Sequence, residues 1–275
     1  MDTTFEWAQW AMIVSGSVAG GLAILWSIGG YYHLRYYVRR RHEPQTWKCQ
    51  PNRFLRPEQQ RRAMLLSSMN LAIGGLISGS FIYALQHGMP TPIYFEVDDY
   101  GWTYTLASTA LLFVLLDLLA YWSHRMLHIK ALFRRFHRWH HRYVVTTPFV
   151  VTAMHPVEFL IFQAATFLPL FVLPFHYLSI IGVLVHSLAF NIIDHSGVRL
   201  VSRIPWQGPS TYHDDHHVHF HCNFGQHLML WDRLHGTLRR VGRRYGAEVF
   251  GGKGAPIESP RAASAEPASD AFVQY

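Results

Sequence analysis

Five apolar runs punctuate the chain, and the charged residues fall almost wholly between them. The runs are Trp7 to Tyr32, Ala63 to Leu85, Thr103 to Trp122, Val157 to Leu173 and Tyr177 to Ile193. The first three are long enough to cross a bilayer as helices, which takes about 20 apolar residues. The last two are shorter, and Pro174, Phe175 and His176 separate them. That pattern predicts a hairpin that enters the membrane and returns to the same side, or a partly embedded re-entrant pair. The predicted fold is all-α: an integral membrane helical bundle of about four spans, the last a hairpin. Pro90 and Pro92 mark the stretch from His87 to Trp102 as a loop.

Charge orients this bundle. Asp2 and Glu6 precede the first run, and Arg35, Arg39, Arg40 and Arg41 follow it. A secretory signal peptide would show the reverse order. The predicted topology puts all 24 Lys and Arg residues on one side, while the opposite loop carries Glu96, Asp98 and Asp99. The positive-inside rule assigns the basic side to the cytosol and leaves the N-terminus outside. Only 15% of residues are charged, against about 25% in a soluble domain. The net charge of +7 therefore reads as membrane orientation and attraction to anionic headgroups, not as nucleic-acid binding, and no nucleic-acid-binding motif is present. Two cysteines, Cys49 and Cys222, make neither a disulfide framework nor a CxxC pair. Residues 1–102 are expected to hold the first spans and loops, and 103–245 the third span, the hairpin and a cytosolic histidine-rich helical cap. The remainder, 246–275, rich in Gly, Pro, Ala and Ser, is expected to be a disordered tail.

Three histidine clusters lie on that cytosolic side. They read His124-Arg-Met-Leu-His128, His137-Arg-Trp-His140-His141 and His213-Asp-Asp-His216-His217. With 19 histidines in the chain, one HxxHH by chance has an expectation of roughly a tenth. Two of them, with an HxxxH just ahead, exclude a merely His-rich patch. Residues three or four apart share a helical face, so each cluster is expected to aim its imidazoles at one point. Eight imidazoles exceed the four ligands of a structural zinc site, where Cys is also common. They suit two ions among Fe, Zn, Cu or Ni, with coordination positions left open. Ala131 to Arg142 alternates apolar and basic residues. It reads as an interfacial helix with Phe133, Phe136 and Trp139 in the headgroup region and Arg134, Arg135 and Arg138 in water.

His195, which ends the hairpin, is a further candidate ligand, and Asn191, one helical turn earlier, offers a carbonyl oxygen or a simple cap. Metal-bound imidazoles donate their other N–H to an outer acceptor. Candidates for that role are Asp117, Glu158, Asp194, Asp214, Asp215 and Asp232; His155 either joins them or marks the entry to the hairpin. A haem-binding electron carrier would need facing intramembrane histidines, and only His176 and His186 qualify. A metal transporter would need polar ligands along the spans, which these spans nearly lack. HExxH and GxSxG are absent, which disfavours a zinc metalloprotease and a serine hydrolase.

The order HRMLH, FHRWHH, HPVE, DHSG, HDDHH-x5-NFG and WDRLHGT resembles the fatty acid hydroxylase/sterol desaturase superfamily over Tyr94 to Thr237. The set is specific as a whole, although each piece alone is weak. Members usually carry Phe where this chain has His235, a departure outside the ligand set. The resemblance implies a membrane-bound, non-haem di-iron oxidoreductase holding two Fe ions and using dioxygen. Its electrons would come from a separate donor such as cytochrome b5, ferredoxin or a reductase, and its substrate would be a membrane lipid. Carried over by motif, the ligands are His124, His128, His137, His140, His141, His213, His216 and His217, with His195. The related acyl-CoA desaturases use one Asn ligand, which points again to Asn191. Ile93 to Gly101 and Asp117 to His124 look like the sterol C-5 desaturase branch, favouring a sterol over an acyl or sphingolipid substrate. Desaturases and hydroxylases share these ligands. The topology fits a bacterial inner membrane and an endoplasmic reticulum membrane alike.

Overall fold

The computed structural model describes residues 5–204, 207–245 and 254–256, and nearly all of its regular structure is helical. The first apolar run forms α1 (Trp7–Tyr32), whose extension His33–Val38 is π-helical. A short α2 (Pro44–Trp47) leads into α3 (Pro57–Gln86), which starts on a proline at its first turn, where no backbone N–H is needed. The third run forms α4 (Gly101–Leu127). Three short pieces follow without a break: α5 (Lys130–Leu132), a π-helical turn (Phe133–His137) and α6 (Arg138–His141). The hairpin is α7 (Pro156–Phe167) and α8 (Tyr177–Asp194). The cap is completed by α9 (Ser210–His219) and α10 (Leu230–His235).

Four helical segments are long and apolar enough to cross a membrane: Trp7–Val38, Pro57–Gln86, Gly101–Leu127 and Tyr177–Asp194. The fourth apolar run differs from a simple span. Pro169 cannot donate to an α-helical ladder, and the chain tightens to a 3-10 turn over Leu168–Phe171. The descending arm of the hairpin is therefore short, and only α8 reaches spanning length. Of the expected tail, residues 246–253 and 257–275 lie outside the described residues. Ala255–Pro256 (β2) pair antiparallel with Arg243–Arg244 (β1).

The bundle is tightest where α1 meets α3. A Cβ on Gly75 or Gly79 would lie 2.6 Å from the backbone of Val18 or Val14 respectively. Without side chains there, the two helices approach to backbone contact, which is how apolar helices gain packing in lipid. The two ends of the bundle differ in character. At one end Glu6 N–H donates to the Tyr83 hydroxyl, and Tyr94 and His176 join the loop before α4 to the hairpin turn. At the other end the C-termini of α4 and α8 meet the N-termini of α3 and α7. The Tyr37 hydroxyl, beyond α1, donates to Ser196 O and Thr146 O.

Between α6 and α7 the chain runs through the interior rather than over the surface. Tyr143, Phe149, Val150, Val151 and Ala153 pack with Leu25, Ala63, Leu71 and Ile192 in one buried cluster. A buried irregular segment must satisfy its own backbone, and α3 supplies the partners. Ser67 Oγ donates to Phe149 O at 2.7 Å. Asn70 Nδ2 donates to Thr152 O at 2.8 Å and to Met154 O at 3.0 Å. This cluster is the floor on which the histidine-rich cap rests.

Gly75→Leu or Gly79→Leu should lower the thermal unfolding midpoint of the detergent-purified protein, at a cost of about 1–3 kcal/mol for overpacking. Gly16→Ala and Gly20→Ala, where an added Cβ meets nothing within 4 Å, should leave it unchanged. Equal effects at all four positions would show that α1 and α3 do not pack through Gly75 and Gly79.

Candidate metal centre

Nine buried histidines converge at the cap end, and they form two groups rather than three. His124, His128, His137, His141 and His216 make one group, and His140, His195, His213 and His217 the other. Within each, the atoms able to ligate lie within 4.8 Å of one another. The expectation that each motif aims at one point holds for HxxxH and fails for both HxxHH motifs. On a helix the i and i+4 positions lie closest in angle, and i+3 is rotated away from them. His137 and His141 thus face the first group while His140 turns to the second. On α9 the sense is reversed, with His213 and His217 in the second group and His216 in the first.

Proton placement suits these groups to a cation. His124 Nδ1 donates to Phe224 O at 2.9 Å, His216 Nδ1 to Cys222 O at 2.7 Å, and His195 Nδ1 to Asn191 O at 2.8 Å. His137 Nδ1 lies 2.6 Å from Glu158 Oε1. With the proton on Nδ1, each Nε2 presents a bare lone pair inward. In the first group the Nε2 atoms of His137 and His128 are 2.9 Å apart, and His141 Nε2 lies 3.1 Å from both His137 Nε2 and His216 Nε2. In the second, His213 Nε2 is 2.9 Å from His195 Nε2 and 3.2 Å from His217 Nε2. Neighbouring ligands at right angles on a metal with bonds of about 2.1 Å stand about 3 Å apart. The spacing therefore fits an ion in each group.

Burial keeps these imidazoles neutral. It pulls His137 down to about 3 and His195 to about 4. It pushes His128, His140, His141, His213, His216 and His217 well below the usual imidazole range, helped by the neighbouring rings. A neutral ring is the form that ligates.

The acidic candidates separate into two kinds. Glu158 is in hydrogen-bonding contact with His137, and Asp194 Oδ2 lies 3.8 Å from His213 Nδ1. Asp117 and Asp232 touch no clustered imidazole, contrary to expectation. Asp117 accepts from the backbone of His227 and Leu228 and from Trp231 Nε1. Asp232 accepts from Phe224 N, Gly225 N, the Thr237 hydroxyl and the Tyr212 hydroxyl. A carboxylate has several acceptor sites, and the 224–229 loop before α10 offers them several N–H groups. The two acids hold that loop, whose Phe224 carbonyl orients His124. Asp214 accepts from Thr146 and Gln50, and Asp215 pairs with Arg239. His155 marks the hairpin entry: its Nδ1 caps α7 by accepting from Val157 N, and its ring packs on Phe136 and Trp139. Asn191 Oδ1 is buried without a hydrogen-bond partner. Phe133 is buried against the rings of His128, His141 and Phe220 rather than in the headgroup region. The carbonyls of Phe224, Cys222 and Asn191 were invisible as acceptors, since every residue has a carbonyl. The positive φ of 57° at Asn223, which Asn tolerates, is the turn that the NFG motif signals.

Residues 109–237 match the fatty acid hydroxylase family model. Over 151 residues the chain is 33% identical to a lathosterol oxidase of Mus musculus, covering 54% of this chain and 50% of that protein. It is 29% identical over 176 residues to a Delta(7)-sterol 5(6)-desaturase of Schizosaccharomyces pombe, covering 64% and 58%. To a Delta(7)-sterol 5(6)-desaturase of Gibberella zeae it is 25% identical over 242 residues, covering 86% and 71%. No solved structure matches the chain. The chain spans about half the length of the lathosterol oxidases it matches. Residues 109–237 are thus similar to the fatty acid hydroxylase family, and the relatives that the chain resembles are sterol desaturases and lathosterol oxidases.

The neutral histidines set a pH dependence. Below pH 6.5 the unfolded chain takes up protons that folded His137 and His195 refuse down to about 3 and about 4. Their folded pKa values are depressed, so stability is full above pH 6.5 and falls as pH drops below it. The thermal unfolding midpoint of the chelator-treated protein should be flat from pH 8 to about 6.5 and then decline. A midpoint that rises on acidification would mean the rings are not buried neutral.

Proposed function

We propose that this chain is a membrane-bound di-iron lipid oxidoreductase acting on a sterol or sterol-like substrate, with residues 103–245 as its catalytic unit. The observation that carries the reading is the two groups of converging, buried imidazoles at the end of an apolar bundle. The sterol preference is supported by the relatives: a lathosterol oxidase and Delta(7)-sterol 5(6)-desaturases.

His124, His128, His137, His141 and His216 would hold one ion, and His140, His195, His213 and His217 the other, with Asn191 Oδ1 beside His195. When bound, a pair of irons supplies dioxygen reduction and the oxidation of an unactivated C–H bond. The protein does the rest. Glu158 and the carbonyls of Phe224, Cys222 and Asn191 fix the orientation and tautomer of the ligand rings. Phe133, Phe220 and Phe224 are buried against the clustered rings and keep the surroundings of the imidazoles dry, which would exclude water from the chemistry. The substrate would enter sideways from the bilayer, beside α4 and the hairpin. The basic end of the bundle would face the cytosol and receive electrons from a separate donor such as cytochrome b5, ferredoxin or a reductase.

Metal analysis tests the division of ligands. His140→Ala and His141→Ala should each reduce bound iron, with the loss concentrated in different ions. The double variant should lose more than either alone, and full iron content in His140→Ala would overturn its assignment. Glu158→Gln should weaken iron binding by about 10- to 100-fold while leaving the fold intact.

Lipid profiling by mass spectrometry after expression, with His140→Ala as control, tests the reaction. Loss of two hydrogens from a sterol marks desaturation, and a gained oxygen marks hydroxylation. An iron-loaded protein that alters no sterol, acyl lipid or ceramide in the presence of oxygen and reductant would refute the proposal.

A further inference from the structure

Away from the imidazoles, the junction of α3 and α6 holds a second constellation. Gln59, Arg62, Leu66, Trp139, Arg142 and Tyr143 line an open cavity of about 80 Å³, several times what one water needs. The Arg62 and Arg142 guanidinium groups lie over the same indole, 6.0 and 5.6 Å from the Trp139 ring. Two guanidinium groups drawn to one ring, with no carboxylate bound to either among the described residues, leave their donors turned toward the cavity for an anion. The neighbouring Arg61, by contrast, has Glu58.

The rest of the lining points the same way. Gln59 Oε1 already accepts from Arg56 N at 3.2 Å, which leaves its amide NH2 to donate. Tyr143 is buried in the core beneath the cap, and its phenol is the one polar group its side chain offers the cavity. The polar lining thus donates, and guanidinium forks match phosphate oxygens. Leu66 and the Trp139 ring supply an apolar wall. Depth decides the source of the anion. Arg62 immediately precedes the apolar run that begins at Ala63, so the cavity sits at the boundary where headgroups lie and where Trp is favoured.

We propose that Arg62 and Arg142, stacked on Trp139 and backed by Gln59 and Tyr143, bind the phosphate of an anionic membrane lipid headgroup. The bound phosphate ties α3 to α6, which carries ligands for both imidazole groups. The site stands apart from the metal reading and survives or fails independently of it.

The probe is phosphatidylglycerol, added to delipidated protein in detergent and followed by native mass spectrometry. Wild type should retain a lipid adduct, and Arg62→Gln/Arg142→Gln should lower its retention by about tenfold or more, the worth of one or two charge-assisted hydrogen bonds. Both arginines are exposed, so this variant should keep the wild-type unfolding midpoint. Arg134→Gln/Arg135→Gln removes the same charge from exposed positions nearby and should leave retention unchanged. Adding inorganic phosphate distinguishes the sources. An adduct that persists supports the lipid headgroup, and one that is displaced while still depending on Arg62 and Arg142 supports phosphate recognition from solution. Equal loss in the two double variants, or none in Arg62→Gln/Arg142→Gln, overturns the site.

Discussion

Buried imidazoles held with their ring nitrogens about 3 Å apart are the constraint on which the cap end depends. Four imidazoles have their Nδ1 occupied by Phe224 O, Cys222 O, Asn191 O and Glu158. Their Nε2 atoms are thereby turned inward on both groups. In water such rings would take protons and separate. Burial forbids the proton, and the helices forbid the separation. Neutral rings so placed could hold a cation, and the N···N spacing suits one in each group.

That demand reaches outward through the fold. Rings can be held this closely only if their helices are held too, and each helix is fixed by polar contacts buried beside it. Asp117 and Asp232 fasten the loop that presents the Phe224 carbonyl. Thr146 and Gln50 fasten Asp214, next to His213. Ser67 and Asn70 in α3 carry the buried strand of backbone beneath the cap. The apolar spans contribute a rigid base, closed most tightly at Gly75 and Gly79.

Much of this was legible in the sequence because it depends on periodicity and residue type. The spans announce themselves by length, and the converging histidines by motif spacing. What stayed hidden depends on three-dimensional closure. Pro169 cut the fourth run short, a local effect that hydropathy averages away. The partition of His137 and His141 from His140 rests on a rotation of one position along a helix, which motif notation flattens. Asp117 and Asp232 were rightly singled out as unusual acids, but their partners are backbone N–H groups, which no sequence pattern displays. His155 offered two readings, and only its contacts with Val157, Phe136 and Trp139 separate them.

The exchange of partners between α6 and α9 has a consequence for assembly. Each helix contributes rings to both groups, so neither group belongs to a detachable part of the chain. On the di-iron reading, an ion entering the first group draws α6 and α9 together and pre-forms the second. The ordering cost then falls mainly on the first ion, and the second binds the more tightly for it. Half-loaded protein would be scarce at equilibrium. Such cooperative filling favours a pair of ions over one alone.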